Sequence, residues 1–395
     1  MKILLANKFY YHRGGAEVYV INLENLLREH GHEVAVFSMQ HPQNLPSSYE
    51  KFFPKEVDFT RFNPLDFFTY IVRPLGSKEV KDKFSRLIDV FCPDVVHFNN
   101  THSQLSPVIA KIACQRGIKV IWTLHDYKML CPRYDCIRNG KTCNLCYTGK
   151  LPVIRYSCMK NSRLASILAY WEAVKWSRKK LEKYTATFIC PSEFLRKEMI
   201  DGGFNSNKLT KLNNFIDVAK ITRPVYLNKE NYYCYVGRLS PEKGLETLLK
   251  TAVEMPYTLR IIGAGNLEHE LKQKYQAKHI IFEGYKSWNE IETIVRKAMF
   301  TVMPSECLEN NPISTIESLA LGTPVLGARI GGIPELIEEN LNGLLFESRN
   351  KDDLKRQVQR FFEKSILFDY VTIAQTARAN YSAENHIRSL MKIYG

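Results

Sequence analysis

Two acidic side chains stand out in the stretch PSECLENNPISTIESLALGTPVLG, residues 304–327, where Glu309 and Glu317 lie eight residues apart on either side of Pro312. Pro312 suits the first turn of a helix, because the N–H that proline lacks would have no intrahelical partner there. We therefore predict a helix that begins near Pro312 and stops at Gly322. The free N–H groups of its first turn could hold a phosphate, with a carboxylate acceptor on each side. A nucleotide sugar has this pattern, since its diphosphate lies between a ribose diol and a hydroxyl-rich hexose.

Two cations could complete such a site. The stretch VGRLSPEKGLETLL, residues 236–249, supplies Arg238 and Lys243 in a turn before a predicted helix. Arginine can grip a diphosphate with two parallel hydrogen bonds and lysine can act as a point charge, so no metal would be needed there. The alternative is that both side chains lie in a solvated loop.

Several glycines and one histidine follow other predicted strands. Gly14 and Gly15 open a helix after the first strand, where the backbone could approach a ligand closely; a tight strand-to-helix turn is the alternative. Gly263 and Gly265 end a later strand, where a base or ribose could lie against the backbone. His125 ends a strand of the first half and is a candidate catalytic residue, with a structural role as the alternative.

Five of the ten cysteines crowd into 28 residues, namely Cys131, Cys136, Cys143, Cys146 and Cys158. The spacing Cys143-x-x-Cys146 suits two zinc ligands, and we predict Cys131 and Cys158 as the other two, with Cys136 able to replace either. Reduced thiols that pack a loop, or redox chemistry, would also explain the cluster. A zinc ribbon that reads nucleic acid is a further alternative.

A basic segment follows, residues 160–184, with seven Lys or Arg against two Glu. Trp171 and Trp176 lie in it among apolar residues at helical spacing. Basic amphipathic helices with tryptophans often lie on anionic membranes, although a helix with its tryptophans in the core and its lysines in water is the alternative. Because the two tryptophans would be about 140° apart on a helix, we expect one to face the headgroups and the other to pack inward.

The whole chain has 55 basic and 41 acidic residues, a formal charge of +14. This surplus favours a polyanionic partner, which could be nucleic acid, an anionic membrane face or a phosphorylated substrate. The start MKILLANKFYYHRGG has too short an apolar run for a signal peptide, and no stretch approaches the 18 apolar residues of a membrane span. We therefore expect a cytoplasmic protein.

The elements that position these residues can be read from apolar runs separated by helical stretches. The runs are KILLAN, EVAVFSM, DVVHF, KVIWTL and ATFICP in the first half, then YYCYVG, TLRIIG, HIIFEG, FTVMPS and TPVLGA. Such alternation predicts an α/β protein with two doubly wound, Rossmann-like parallel sheets and a ligand cleft between the domains. With 395 residues there is room for both. We place the domains at 1–217, with the cysteine-rich insertion 131–158, and 218–372, and expect a C-terminal helix at about 373–395 to pack back on the first.

Together the stretches RGGAE, GRLSPEKG, GAG, PSECLENNPISTIESLALGTPV and GGIPELI resemble the group-1 glycosyltransferases over essentially the whole chain and in the same order. The resemblance implies a retaining enzyme of GT-B fold that assembles bacterial surface polysaccharides or glycolipids. It implies catalytic roles for His125, Glu309, Arg238 and Lys243, and no cofactor required for catalysis.

Carried over residue by residue, the resemblance implies that Glu309 binds the hydroxyls of the donor sugar and Glu317 the ribose diol. Arg238, Lys243 and the backbone of Asn311, Ile313 and Ser314 would take the diphosphate, with Gly14, Gly15, Gly263 and Gly265 also at the donor and His125 beside the transferred sugar. We expect a nucleotide-diphosphate sugar donor, a polysaccharide or lipid-linked glycan acceptor and contact with the anionic inner face of the cell membrane, but not nucleic acid. The alternatives are a nucleotide-sugar epimerase of similar fold and a zinc-containing nucleic-acid-binding protein.

Overall fold

The computed structural model describes residues 1–59, 67–221, 223, 225–363 and 365–395. The chain divides into two compact units, the first formed by residues 1–212 with 387–395 and the second by residues 213–386. Each unit has its own six-stranded sheet.

The sheet of the first unit has the order β2-β1-β3-β4-β7-β8, and all its neighbours pair in parallel. Its strands are β1 (Lys2–Ala6), β2 (Glu33–Phe37), β3 (Val95–Phe98), β4 (Lys119–Thr123), β7 (Thr187–Cys190) and β8 (Leu209–Lys211), with a separate hairpin of β5 (Ile137–Arg138) and β6 (Lys141–Thr142). Strands β1 to β4 are buried almost throughout, as expected when helices cover both faces of a parallel sheet.

The helices of the first unit are α1 (Gly15–Glu29), α2 (Phe67–Gly76), α3 (Lys78–Phe91), α4 (His102–Leu105), α5 (Val108–Gln115), α6 (Pro152–Arg155), α7 (Arg163–Lys175), α8 (Arg178–Tyr184) and α9 (Glu193–Asp201). Serine side chains cap three of them: Ser77, Ser162 and Ser192 each accept a hydrogen bond from the third N–H of the helix that follows. Such caps satisfy N–H groups that the helix itself cannot pair, which fixes where each helix starts.

The second unit repeats the design with the order β11-β10-β9-β12-β13-β14, again parallel. Its strands are β9 (Tyr232–Val236), β10 (Thr258–Ile262), β11 (Ile280–Gly284), β12 (Thr301–Met303), β13 (Val325–Ala328) and β14 (Gly343–Phe346). Its helices are α10 (Leu245–Ala252), α11 (Glu268–Lys274), α12 (Trp288–Lys297), α13 (Ile313–Ala320), α14 (Lys351–Phe362) and α15 (Tyr370–Asn380). The last helix, α16 (Ala383–Tyr394), starts in the second unit and ends in the first. The prediction of two doubly wound parallel sheets is confirmed.

The chain returns to the first unit later than the sequence suggested. Residues 387–395 belong to the first unit, rather than the whole of about 373–395, and the division near the middle falls after Leu212 rather than at 217. Helix α15 stays with the second unit because it packs on α13, where Arg378 Nε donates to the Ala320 carbonyl at 2.8 Å. The end of α16 belongs to the first unit, where Tyr394 Oη lies 2.6 Å from His97 Nδ1.

Candidate active site

Sheet topology brings the predicted donor-site residues to one edge of the second unit. The strand order changes direction between β9 and β12, and in open parallel sheets ligands bind beyond the carboxyl ends of the strands at such a point. Arg238 and Lys243 follow β9, whereas Glu309 follows β12. Sequence segments about 70 residues apart therefore meet at this edge.

Lys243 and Glu309 form the centre of the site. The Nζ of Lys243 lies 2.6 Å from Oε1 of Glu309, and the Ser305 hydroxyl donates to the same oxygen at 2.7 Å. Burial alone would raise the pKa of the Glu309 carboxyl, but Lys243 outweighs it and the pKa is lowered. Burial would likewise lower the pKa of Lys243, yet Glu309 raises it. Both groups are therefore charged at neutral pH.

Two glycines fix the backbone around this pair. Gly244 has φ +71°, and a Cβ there would lie 1.8 Å from the Pro304 carbonyl oxygen. Gly331 has φ +60°, and its Cβ would lie 2.4 Å from the carbonyl oxygen of Glu309, which also accepts the Gly332 N–H at 2.6 Å. Only glycine combines a left-handed conformation with this approach of backbone to backbone.

Arg238 lies beside the pair but nearer the surface, with 63% of its side chain exposed. Its Nη2 lies 2.5 Å from Oε1 of Glu242, and its Nε donates to Ser240 Oγ at 3.2 Å. Arg238 also opposes the charged form of Lys243 electrostatically, so the two cations are neighbours. The structure thus joins Arg238, Lys243 and Glu309 in one cluster.

Sequence reasoning missed three members of this cluster. Glu242 holds Arg238, while Ser305 and Cys307 donate to Glu309, the thiol at 3.7 Å. Arg238 and Glu242 pair within the irregular turn after β9, so their four-residue spacing was not a helical signal. The spacing of Ser305 and Cys307 in an irregular loop gave no signal either.

Helix α13 begins at Ile313 with Pro312 before it and ends at Ala320, and Gly322 follows with φ +74°. The predicted helix is therefore confirmed. Among the described residues, no group accepts the backbone N–H of Ile313 or Ser314, as expected for a first helical turn. These two donors are available to an anion.

Glu317 lies one turn inside α13 and is partly buried. Its carboxylate has no hydrogen-bond or ionic partner in the part of the chain that the structure describes. Burial raises its pKa from the ordinary 4.5 to about 7, because the charged form loses hydration without a compensating partner. An unpaired, partly buried acceptor is suited to a ligand that brings its own hydroxyl donors.

The glycines after β10 and the asparagine before α13 have structural partners of their own. A Cβ on Gly263 would lie 1.9 Å from the carbonyl oxygen of Gly237, and one on Gly265 would lie 2.2 Å from that of Leu239. Loop packing therefore requires both glycines, whether or not a nucleotide lies on them. Asn311 is buried, and its side-chain oxygen accepts the Asn214 N–H at 2.8 Å.

In the first unit, Gly14 and Gly15 lead into α1 as predicted, the helix beginning at Gly15. Gly14 is extended, with φ −161°, a conformation open to any residue. A Cβ on Gly15 would meet no atom within 4 Å, so space is open beside this backbone.

His125 lies two residues beyond β4 and packs edge-to-face on Tyr19 of α1, with ring centres 5.0 Å apart. Its Nε2 is 2.9 Å from Asn99 Oδ1, and burial lowers its pKa to about 4. The imidazole is therefore neutral at physiological pH. With Asn99 Oδ1 as the acceptor, the ring proton is on Nε2 and Nδ1 can accept a hydrogen bond. The next residue, Asp126, pairs with His102 at 3.4 Å.

The predicted zinc ligands lie together without the geometry of a metal site. Cys131, Cys143, Cys146 and Cys158 line one small cavity. The thiols of Cys136 and Cys146 donate to the Cys131 sulfur and lower its pKa. In the described ranges, no group of three or more His, Cys, Asp or Glu is already arranged to hold a metal ion, so the zinc site stays a prediction that requires the cysteine side chains to rotate toward one another.

The second unit thus offers two cations and one carboxylate in a cluster at a sheet edge, and two free N–H groups and a second carboxylate on the helix that follows Glu309. Cations and helix N–H groups bind phosphate oxygens, while carboxylates accept hydrogen bonds from hydroxyls. This combination can bind a diphosphate that carries a polyol at each end.

Two family models together match nearly the whole chain. The model described as "Glycosyltransferase Family 4" matches residues 13–220, and the model described as "Glycosyl transferases group 1" matches residues 220–379. The two matches meet at residue 220.

Curated relatives are similar at lower identity. An uncharacterized 42.6 kDa protein in the cps region of Klebsiella pneumoniae is 26% identical, covering 85% of this chain and 87% of that protein. The uncharacterized glycosyltransferase MJ1178 of Methanocaldococcus jannaschii is also 26% identical, over 54% of this chain and 61% of that protein. The putative colanic acid biosynthesis glycosyltransferase WcaL of Escherichia coli is 26% identical over 32% of this chain and 34% of its own.

Solved structures share the fold. The lipopolysaccharide outer core galactosyltransferase WaaB has a TM-score of 0.66 at 15% identity, covering 99% of both chains. Anabaena Alr3699/HepE in complex with UDP-glucose has a TM-score of 0.68 at 17% identity, covering 100% of this chain and 99% of that one. The predicted GT-B class is confirmed.

Proposed function

Because the chain belongs to the group-1 glycosyltransferase family, we propose that it transfers a sugar from a nucleotide-diphosphate sugar to a polysaccharide or lipid-linked glycan, with retention at the anomeric carbon. The assignment of a nucleotide-diphosphate donor is supported by the cluster of Arg238, Lys243 and Glu309 beside the free N–H groups of α13. UDP-glucose in the complex with Alr3699/HepE supports the same class of donor.

In this proposal, different residues of the cluster bind different parts of the donor. Arg238, Lys243 and the N–H groups of Ile313 and Ser314 bind the diphosphate. Glu309 accepts hydrogen bonds from hydroxyls of the donor sugar. Lys243 leaves or shares its bond to Glu309 when the phosphates arrive, since one ammonium carries three N–H donors.

Glu317 takes the ribose diol. Its carboxylate has no partner among the described residues, and two vicinal hydroxyls can donate to its two oxygens. Ligand hydroxyls would replace the hydration that burial removes, so the ionised form is favoured in the complex.

Sugar transfer breaks the bond between the anomeric carbon and the phosphate oxygen and forms one to an acceptor hydroxyl oxygen. Negative charge builds on the departing diphosphate, so cations and fixed N–H groups bind the transition state more tightly than the ground state. For retention, the acceptor attacks from the face that the phosphate leaves, and its proton passes to the departing phosphate oxygen.

The first unit supplies the acceptor side in this proposal. Neutral His125 has Nδ1 available to accept a hydrogen bond from a hydroxyl of the transferred sugar. The open space at Gly15 allows donor groups to approach the backbone there. The printed names of WcaL and WaaB, with colanic acid and lipopolysaccharide, support a glycan or glycolipid acceptor.

The proposal is tested by incubating the protein with a panel of nucleotide sugars and a bacterial membrane extract, followed by mass spectrometry. We expect one donor to give an acceptor heavier by one sugar residue, and NMR of that product to show the anomeric configuration of the donor. An epimerised nucleotide sugar without transfer would instead support the epimerase alternative. No change in any nucleotide sugar would contradict the proposal.

A structural zinc in the cysteine-rich insertion is a separate proposal. Hydrogen bonds from the thiols of Cys136 and Cys146 lower the pKa of Cys131, which favours the thiolate form that zinc binds. Four cysteines around one cavity are enough for a tetrahedral site after small shifts of their side chains. Reduced thiols that pack the loop are the alternative.

A further inference from the structure

Helix α7 in the first unit exposes apolar side chains to solvent and buries a charged one. Leu164 and Trp171 are each 56% exposed, and Val174 is also exposed. Glu172, in contrast, is buried, where its carboxylate lies 3.1 Å from Lys128 Nζ and accepts the Ser103 hydroxyl at 2.8 Å. A surface helix normally buries its apolar face, so the outward side of α7 needs an explanation.

The exposed apolar residues share one side of the helix. Leu164 and Trp171 are seven residues apart and Lys175 follows Trp171 by four, spacings that fall on a single helical stripe. Trp176 lies on the opposite side, buried, with its indole N–H donating to the Pro74 carbonyl at 2.8 Å. The expectation that one tryptophan packs inward is confirmed by Trp176, whereas contact of the exposed Trp171 with headgroups stays a prediction.

Neighbouring helices extend the apolar stripe. Helix α2 packs on α7 and exposes Phe68, at 80%, together with Val72. Helix α6 packs on α7 from the cysteine-rich insertion, and Leu151 and Tyr156 at its ends are exposed. We call these exposed side chains of α2, α6 and α7 the apolar patch. Exposed apolar side chains on helices that pack against one another are candidates for an interaction site.

Lysines border the apolar patch. Lys81, Lys111 and Lys180 are close enough to Lys175 to disfavour its charged form, after burial, which is the larger cause of its lowered pKa. None of these four forms an ion pair with a residue in the described ranges. They come from α3, α5, α7 and α8, which pack beside one another.

We propose that the apolar patch and its lysine border dock on an anionic lipid bilayer, with Trp171 and Phe68 at the headgroup boundary. Unpaired lysines around exposed aromatic and aliphatic side chains complement a surface of negative headgroups over an apolar interior. No helix in the described part of the chain is long and apolar enough to cross a membrane. The inference goes beyond the proposed transfer, because it concerns where the protein acts and not which donor it uses.

Flotation with vesicles tests the proposal on the full chain. We expect binding to phosphatidylcholine vesicles that contain phosphatidylglycerol and little binding to pure phosphatidylcholine, with a loss at high salt because the attraction is screened. Lys175→Gln with Lys180→Gln should weaken binding about thirtyfold, at roughly 1 kcal/mol for each lysine. Lys197→Gln with Lys278→Gln removes the same charge from exposed sites elsewhere and should change binding little.

Trp171→Gln with Phe68→Gln should weaken binding by a similar factor, whereas Tyr285→Gln with Leu367→Gln, equally exposed elsewhere, should not. Tryptophan fluorescence of the unaltered protein supplies a measurement that needs no variant. Brominated lipids in anionic vesicles should quench emission, and this quenching should be absent in Trp171→Phe. Absence of binding to anionic vesicles at low salt, or equal binding to neutral ones, would overturn the proposal.

Discussion

At the scale of single residues, the proposed donor site centres on the ion pair between Lys243 and Glu309. The pair is mostly buried, so each charge stabilises the other in the absence of ligand. Removing one partner of such a pair leaves the other charge uncompensated, which is costly in a desolvated site. Mutation of either residue therefore disturbs donor binding and the empty site together.

Lys243→Ala should lower kcat/KM, with a loss of about 2 to 4 kcal/mol in transition-state stabilisation. Losses of this size follow when one preorganised donor is removed. Arg238→Ala should lower kcat/KM within the same range, nearer the lower end because its side chain is well exposed. Steady-state kinetics with the identified donor measure both. Lys278→Ala, on an exposed lysine without an ion pair to any described residue, is the control. Wild-type rates in both site variants would remove these cations from the mechanism.

Glu317 makes donor use depend on pH. Its pKa of about 7 means that the empty site is half protonated near neutrality, and a protonated carboxyl accepts hydroxyl donors poorly. We expect kcat/KM to rise with pH up to about 7 and then to level off, since this parameter reports the free enzyme. Glu317→Gln should lower the plateau and abolish this limb. If kcat/KM of that variant still rises with pH up to about 7, the pH dependence comes from another group.

The same substitution should stabilise the fold at alkaline pH. In the folded state the pKa of Glu317 is raised from 4.5 to about 7, so the native protein binds more protons than the unfolded chain between these values. Its contribution to stability is therefore lost as pH rises through that window. In urea unfolding, the free energy of unfolding of Glu317→Gln should rise relative to that of the wild type by up to about 3 kcal/mol between pH 4 and pH 8. A pH-independent difference would contradict the raised pKa.

The sequence predicted which residue types serve the site but not how they pair. Glu309 and Lys243 were found from charge and spacing, whereas their direct contact and the help of Ser305 depend on how two loops fold against each other. Periodicity carries no information about irregular loops, because it reports only which side of a regular element is buried. The missing contacts are of this kind.

At the scale of elements, the loops around Glu309 are held by backbone contacts that tolerate no side chain. Gly331→Ala would combine a left-handed φ with a clash against the Glu309 carbonyl. Gly284 is a matched control, because its φ of +72° is similar and a Cβ there meets no atom within 4 Å.

Gly284→Ala should cost about 1 to 2 kcal/mol of stability, the penalty of the left-handed conformation alone. Gly331→Ala should cost more than this and should also raise KM for the donor, because Glu309 moves with its carbonyl. Chemical denaturation and steady-state kinetics measure the two effects. Equal losses in both variants, with an unchanged KM, would show that this glycine does not position Glu309.

The cysteine-rich insertion permits a direct test of metal binding. If zinc binds, the purified protein should contain about one equivalent, and a chelator should lower the melting temperature before it weakens donor binding, because the metal holds the insertion and not the donor site. Cys143→Ser should abolish the metal, whereas Cys92→Ser, on an exposed cysteine far from the cluster in sequence, should not. Metal-free protein of the same stability would leave the thiol-packing alternative.

At the scale of the whole molecule, the sequence predicted both parallel sheets because buried strands leave continuous apolar runs. It missed β8, β14, the short hairpin of β5 and β6, and the start of the return to the first unit. Strand β8, with the sequence LTK, is too short and polar to leave such a run. The return depends on α15 packing against α13, a tertiary contact that no local pattern announces.

The net charge of +14 also acts at this scale, since both a nucleotide donor and an anionic bilayer are attracted to a basic protein. The two attractions use different residues in this account. Arg238 and Lys243 lie in the second unit, whereas the lysine border of the apolar patch lies in the first. Variants at one surface should therefore leave binding at the other unchanged.

The central claim is that Lys243, with Glu309 beside it, binds the diphosphate of a nucleotide donor. Calorimetric titration tests it most directly, with nucleoside diphosphates and the matching monophosphates of each common base added to wild type, Lys243→Ala and the control Lys278→Ala. We expect one diphosphate to bind more tightly than its monophosphate, and Lys243→Ala to remove most of this preference while the control keeps it. A diphosphate preference that survives in Lys243→Ala, or no binding of any diphosphate to the wild type, would contradict the account.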